Sequence, residues 1–416
     1  MINKQLPNLF ELFEQLPDVR MRSEYRMAEI CSGALAMDLL KCGSRNSYNN
    51  LRRSSVFCKN FEHSFNISLP HADTFDDVFR LTAPSHFEDI KKQLVRQLFD
   101  KKTLRKHRLF NSHYLIAVDA TGIASFSQRH CEHCLTKTSK NGVTTYFHYV
   151  LEAKLITSDG LAISIASEFV ENQPDRDFDK QDCEQKAFRR LAAKIKKDFP
   201  RLPICLLADG LYPNQTVFDI CEKYNWLFII TLKDKALKSF QEEVGLLKPT
   251  IRPQMVIVPD KNYKINQEYT YINDIEYNKV NYSWLSCVET KKHLKSGQQL
   301  ETKFVYITNI KLSKENIIET ATSGRMRWKI ENQGFNTQKN GGYELEHKYS
   351  RTNYNAMQNY YLILQIAHLI NQLVEISKTI QILLGAHSKT TIKDLWNILI
   401  GYLRFIEHKT IEILLE

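Results

Sequence analysis

Two short apolar runs that end in the same punctuation constrain this chain more than any other feature. YLIAVDATG (114–122) carries five apolar or small residues into Asp119 and stops at Gly122. PICLLADGLYP (203–213) repeats the pattern, with a short apolar run, Asp209, then Gly210 and Pro213. Each reads as a buried strand with an acidic group at its carboxyl end. If the two strands lie side by side and parallel, their carboxylates converge at one edge of a sheet. A shared acidic site is therefore the leading expectation.

The 416 residues suffice for roughly two or three units with a full core. No run approaches the roughly 18–20 uninterrupted apolar residues of a membrane helix, so no membrane association is expected. The start, MINKQLPNLFELFEQLPDV, has acids and prolines where a secretory signal needs a basic then an apolar region. Nine scattered cysteines do not form a disulfide pattern and point to a reducing, cytoplasmic setting. The formal charge is +10, and the pI near 9.0 favours a polyanionic partner. Eight Lys/Arg residues lie between Lys91 and Arg108, with Asp100 the only acid among them. Arg325, Arg327, Lys329, Lys339, Lys348 and Arg351 form a second group. One such cluster is explained by a solvated helix face. Two beside an acidic site point to nucleic acid.

The chain divides by texture. Residues 1–110 read as a helical N-terminal domain, a candidate DNA-contacting segment or else a platform for the next domain. Asp73 or Thr74 is the expected cap of a helix in HADTFDDVFRL (71–81). SHFEDIKKQLVRQLF places Phe87, Ile90, Leu94 and Leu98 on one stripe. From 111 to 232 the order is β-β-β-α-β-α-β, with Asp159-Gly160 marking a hairpin and 182–199 an amphipathic helix. A three-strand meander followed by a helix and a parallel strand is the ribonuclease H-like plan, an α/β fold with a mixed sheet flanked by helices. Residues 233–312, rich in Tyr, Ile, Val and Thr, read as an inserted antiparallel β region. Residues 313–350 return to the core, and 351–416 form a C-terminal helical region. Its helices, Tyr354 to Ile376 and Leu395 to Ile406, are expected to pack on that core.

Two aspartates hold one divalent ion loosely. Two-metal phosphoryl transfer asks for a further carboxylate, so that two hard cations about 3.5–4 Å apart share oxygen ligands. Glu331 in RMRWKIENQGF is the candidate, with Glu344 and Glu346 as competitors. Arg327 lies four residues earlier on the same helix face, so a plain surface ion pair is the alternative for Glu331. Arg327 also suits bidentate grip on a phosphate.

Taken together, VDATG, ADGLYP and RWKIEN, in that order and at these separations, resemble the DDE transposases of bacterial insertion sequences. The resemblance is to the branch with a β insertion between the second aspartate and the glutamate, and it covers residues 110–375. That branch carries a Tyr, an Arg three residues on, the Glu four after that, and a Lys seven further. Arg327 and Glu331 fit, Gly324 stands at the tyrosine's place, and Gln338 stands at the lysine's with Lys339 one residue late. One residue's delay turns a helical side chain by about 100°. The resemblance implies that Asp119, Asp209 and Glu331 hold two Mg²⁺ or Mn²⁺ ions. It implies cleavage and strand transfer at the inverted repeats of an element, on double-stranded DNA and a target. Arg325, Arg327, Lys329, Lys339 and Lys348 are the expected DNA contacts. It further implies a homodimer in a paired-end complex, associated with the nucleoid when bound. Two rivals stand beside it. One is another ribonuclease H-like nuclease or resolvase. The other is a retired transposase kept as a DNA-binding protein, which the Gly324 and Gln338 departures support.

HCEHC (130–134) offers Cys131, Cys134, His130 and His133, but a second ligand pair at zinc-finger spacing is missing. It reads as a reduced loop or strand pair. Neither a nucleophile elbow, a Walker loop nor a GxGxxG is present.

Overall fold

The computed structural model describes residues 6–172, 182–386 and 390–407, so parts of the helical segments expected at 1–110 and 351–416 lie outside it. Among the described residues the ten strands are β1 (Tyr114–Phe126), β2 (Leu135–Thr138), β3 (Thr144–Ile156), β4 (Ala162–Val170), β5 (Ile204–Ala208), β6 (Leu227–Thr231), β7 (Gln254–Val258), β8 (Tyr263–Tyr277), β9 (Val280–His293) and β10 (Gln299–Thr308). They form one mixed sheet in the order β2-β3-β1-β5-β6-β10-β9-β8-β7, with β4 also on β3. The α/β class with a mixed, helix-flanked sheet follows. The expected β-β-β-α-β-α-β order over 114–232 is present, plus the short β2, which the sequence reading lacked.

β5 is buried along its whole length, as a parallel strand covered on both faces must be. It pairs in parallel with β1, Ile116 opposite Leu206 and Ala117 opposite Leu207. Carrying that register two residues on brings Asp119 level with Asp209. The β3–β4 turn closes at Asp159-Gly160, where Gly160 takes φ +97°, a left-handed value that favours glycine.

The 233–312 region is antiparallel from β7 to β10, as read, but it is continuous with the sheet. Tyr306, Ile307 and Thr308 of β10 pair with Thr231, Ile230 and Ile229 of β6. A helix, Lys238–Leu247, precedes its strands and was not anticipated. The next helix, Ile317–Arg325, leaves the end of β10, passes through a 3₁₀ turn at Met326–Trp328 and widens into a π segment over Ile330–Asn336. Such bulges are rare and concentrate at functional sites.

Helix Tyr354–Glu375 is the spine of the molecule. It lies against β4 and against helices Met27–Leu39, Ala72–Leu81 and Pro84–Asp100, which locks the N-terminal helices to the sheet. Three expectations need correction. The cap of Ala72–Leu81 is His71, whose Nδ1 accepts from the Asp73 amide, and neither Asp73 nor Thr74 takes that place. Lys91, counted in the first basic cluster, is fully buried. Its ammonium donates to Ser164 at 2.9 Å and Ser167 at 2.6 Å and pairs with Glu88. Helix Ile392–Phe405 packs on helix Ser55–Phe65, away from the sheet. Asn60 donates to the carbonyls of Leu403 and Ile406, capping that helix's end. Among the described residues no helix is long and apolar enough to cross a membrane.

Gly324 sits where a side chain has no room. An added Cβ would stand 2.8 Å from the Tyr306 ring and 2.9 Å from Ile229 Cγ2. We expect Gly324→Ala to destabilise the fold by about 1–3 kcal/mol through overpacking. Gly245→Ala, in a helix with nothing near its Cβ, should be neutral or stabilising by up to about 1 kcal/mol. Urea-denaturation midpoints decide, and equal effects of the two changes would refute the packing argument.

Candidate functional site

The expected stop at Gly122 does not occur, because pairing with β3 carries β1 on to Phe126. Asp119 lies mid-strand in β1, opposite Glu152 of β3 and just past the end of β5, with its side chain 22% exposed. Its Oδ1 accepts the Ala120 amide at 2.9 Å. β5 ends one residue before Asp209, whose Oδ1 accepts the Leu211 amide at 2.9 Å and so closes the turn. The Lys233 ammonium stands 3.6 Å from the other oxygen, and its stem lies over Gly210. A Cβ at residue 210 would come within 2.5 Å of that stem, so glycine is what admits the lysine.

The third acid arrives from the π segment. Glu331 pairs with Arg327 at 2.7 Å, and the same guanidinium nitrogen stands 3.5 Å from Asp119. The alternative considered for Glu331, a surface pair with Arg327, is thus part of the geometry, but the pair is not isolated. Arg327 bridges Glu331 to the β1 aspartate. The three carboxylates are wider apart than a closed cluster. Among the described residues the only trio of ligand-type side chains with all donor atoms within 4.8 Å lies elsewhere, at Cys131, Cys134 and His148. Of the competitors, Glu346 is taken by Lys339 at 2.7 Å.

Burial dominates the electrostatics of Asp119 and pushes its carboxyl up to about 7. Its Ala120 hydrogen bond opposes this, Glu331's charge adds to it, Arg327 opposes it and Glu184 adds to it. Glu184 is a residue the sequence reading missed. It opens helix Glu184–Asp198 and accepts a hydrogen bond from Tyr212 Oη at 2.6 Å. Burial and the charge of Asp209 hold it above the usual carboxylate range, against that hydrogen bond. Four acids therefore crowd one region, with Arg327 and Lys233 as the cations in contact. The donor set is all oxygen, which suits a hard divalent ion. A half-buried carboxyl held near neutrality is what such an ion would stabilise in its charged form.

The expected DNA contacts divide. Arg325 makes a bidentate pair with Glu289 at 2.7 and 3.2 Å and covers Phe304. Lys329 donates to the carbonyls of Thr157 and Ser158 at 2.8 and 2.9 Å. Both are engaged within the chain. Lys348 lies over Phe126 and lines two open cavities. The first, about 760 Å³, runs from Gly122 and Ser125 past Glu184. The second, about 700 Å³, is bordered by Arg45, Asn49, Arg53 and Arg351 from the N-terminal helices and the 347–352 loop. Lys348 borders both, and the second is a trough of mixed charge in which Arg45 pairs with Asp73 at 3.5 Å and Asp76 at 3.8 Å. Of the four acids only Glu184 lines either cavity. The N-terminal wall of the trough was not legible from the lysine and arginine runs.

Gln338, at the position of the lysine expected from the resemblance, is fully buried and hydrogen-bonds Gln365 and His368. No family model matches the chain, and no curated protein matches it either.

The raised carboxyl of Asp119 has a stability consequence with a definite sign. Between about pH 4, where an unfolded aspartate titrates, and about 7, the folded chain holds a proton that the unfolded chain releases. Stability from this group is therefore full at low pH and is lost as pH rises through that window. Asp119→Asn, in metal-free buffer, should be more stable than wild type by on the order of 2 kcal/mol at pH 8 and level with it near pH 4. Urea melts at both pH values test this, and an equal loss at each would refute it.

Proposed function

We propose that this chain is a ribonuclease H-like phosphoryl-transfer enzyme acting on DNA, in the manner of the DDE transposases it resembles. The observation that carries the reading is the parallel β1–β5 register, which sets Asp119 level with Asp209. Glu331, tied to Asp119 through Arg327, adds the third acid. Asp119, Asp209 and Glu331 would hold the divalent ions, Mg²⁺ or Mn²⁺, which when bound activate a nucleophilic oxygen and stabilise the leaving one. The rest falls to the chain itself. Arg327, paired closely with Glu331 and more loosely with Asp119, is placed to turn towards a phosphate once a cation takes over those acids. Lys233 stands ready beside Asp209 for the same exchange. Arg53, Lys348 and Arg351 of the trough would supply sequence-independent phosphate contacts, with Lys348 also bordering the cavity that passes Glu184. The substrates on this reading are the inverted repeats of an element and a target duplex, handled by a homodimer in the cytoplasm.

Gln338 favours a second reading. Sealed in the core with Gln365 and His368, it offers the DNA no positive charge, and Lys339 spends its own on Glu346. A retired enzyme that binds element ends without cutting them would tolerate this arrangement.

Asp119→Asn, Asp209→Asn and Glu331→Gln should each lower nicking of end-bearing DNA on the order of 10³-fold, the weight of several kcal/mol of charge stabilisation. End binding should survive. If the wild type cuts nothing in Mg²⁺ or Mn²⁺ yet binds ends, the second reading stands. Cleavage of generic duplexes without joining would favour another nuclease of this fold. Affinity should fall with salt at a log–log slope of about −0.9 per phosphate, and Lys348→Ala with Arg351→Ala should flatten it. An unchanged slope would remove the trough from the DNA path.

A further inference from the structure

Away from the acids, the turn after β1 brings two cysteines to a histidine on β3. Cys131 Sγ and Cys134 Sγ are 3.7 Å apart. His148 Nε2 lies 3.4 Å from the first and 3.5 Å from the second. Zinc bonds of about 2.3 Å to sulfur and about 2.0–2.1 Å to nitrogen, at tetrahedral angles, put two sulfurs about 3.8 Å apart and each about 3.5 Å from the nitrogen. All three edges of the observed triangle match. A disulfide needs sulfurs at about 2.05 Å, so the pair is not one. Mutual hydrogen bonding explains the triangle less well, since Nε2 has a single lone pair for two thiols.

We propose that Cys131, Cys134 and His148 bind one zinc ion, with water in the fourth position. Two thiolates and an imidazole select a softer cation than the carboxylates near Asp119 do, so the chain would sort two kinds of metal between two places. Each thiol gives its proton to solvent as its sulfur bonds the ion. Cys134 is fully buried and His148 nearly so, whereas Cys131 is half-buried and marks the side of entry.

The backbone builds the triangle without a finger spacing. Leu135, next to Cys134, pairs with Phe147, next to His148, so the β2–β3 ladder sets Cys134 beside the histidine. The Cys134 amide folds back on the Cys131 carbonyl, which brings the second sulfur round. His133 does not join the triangle but stacks on Tyr354 at 4.4 Å, and His148 lies 5.0 Å from the same ring. The ion would thus tie the loop after β1 to β3, beside the first residue of helix Tyr354–Glu375. Leu135, Ser125 and Ala124, which border the cavity leading past Glu184, hang from that tie.

The full-length protein, expressed with zinc in the medium, should carry one zinc per chain by elemental analysis. Cys134→Ser and His148→Ala should lose it, while Cys58→Ser, in the N-terminal helices, keeps it. Cobalt added to chelator-stripped wild type should give tetrahedral d–d bands and a thiolate-to-cobalt charge-transfer band, both lost in the two ligand variants. If those variants fail to fold, the wild-type cobalt spectrum decides alone. A wild type that retains no zinc and gives no thiolate band, or ligand variants that bind as well as wild type, would overturn the site.

Discussion

Parallel pairing of β1 with β5 is the constraint from which the rest of the molecule follows. Parallel neighbours need a long crossover, which here runs through β3, β4 and helix Glu184–Asp198. The crossover covers one face of the sheet and drops Glu184 beside the two aspartates. Because the strands run the same way, β5 ends beside the middle of β1 and its aspartate comes level with Asp119, where backbone amides at Ala120 and Leu211 already hold one oxygen of each acid. Shifting β5 by one residue would send Asp209 to the opposite face. The fully buried β5 ties that register to the core itself.

A second theme is how much charge the interior accepts. Lys91, Glu152 and Lys154 are all fully buried, where helix Pro84–Asp100, β3 and helix Tyr354–Glu375 meet. Lys154 lies 3.7 Å from Glu152 and donates to Gln365 at 2.6 Å, and Tyr361 donates to Glu152 at 2.8 Å. Burial would drive Glu152 towards its neutral form, but the two ammonium groups and the serine hydroxyls hold it below its usual range. Such a cluster adds little net stability over apolar packing of the same volume. Its effect is orientational, because each layer must present its partner at one position for any charge to be met.

The parts of this architecture written in local pattern were readable in advance. The apolar runs before Asp119 and Asp209 gave the start of β1 and the whole of β5, though β1 runs on past Gly122 to Phe126 along β3. Asp159-Gly160 gave the β3–β4 turn, and the stripe Phe87, Ile90, Leu94, Leu98 gave a helix with those residues buried. The same signals gave the mixed α/β class. What escaped depends on partners distant in the chain. Nothing in TKFVYITNI says that its last residues pair with β6, and Lys91 looks like its solvated neighbours until Ser164 and Ser167 are placed above it. His148 sits in an ordinary strand, TTYFHYVLEAKLI, and becomes a neighbour of Cys131 and Cys134 only through the β2–β3 ladder. Glu184 reads as one acid in an amphipathic helix. Of the candidate site, the aspartates and the Arg327–Glu331 pair were legible because each rests on spacing within one element. The partners of Arg325 and Lys329, which are expected as DNA contacts, were not legible, since Glu289 and the 157–158 carbonyls come from elsewhere in the fold.

The inserted strands join the sheet at one end and leave it at the other, and that asymmetry bears on how such a chain tolerates change over generations. At the base, Asn309 donates to the Trp226 carbonyl and accepts the Phe228 amide, so β10 is pinned where the glutamate-bearing segment departs. Residues lost or gained there would rotate the third acid away from its companions. At the far tip, between His293 and Gln299, the turn carries exposed Leu294 and a left-handed Gly297 and touches none of the acids. Lengthening a surface loop costs little, growing only with the logarithm of its length. Lineages of this fold are therefore free to vary in size at the tip, and are held to a fixed count at the root.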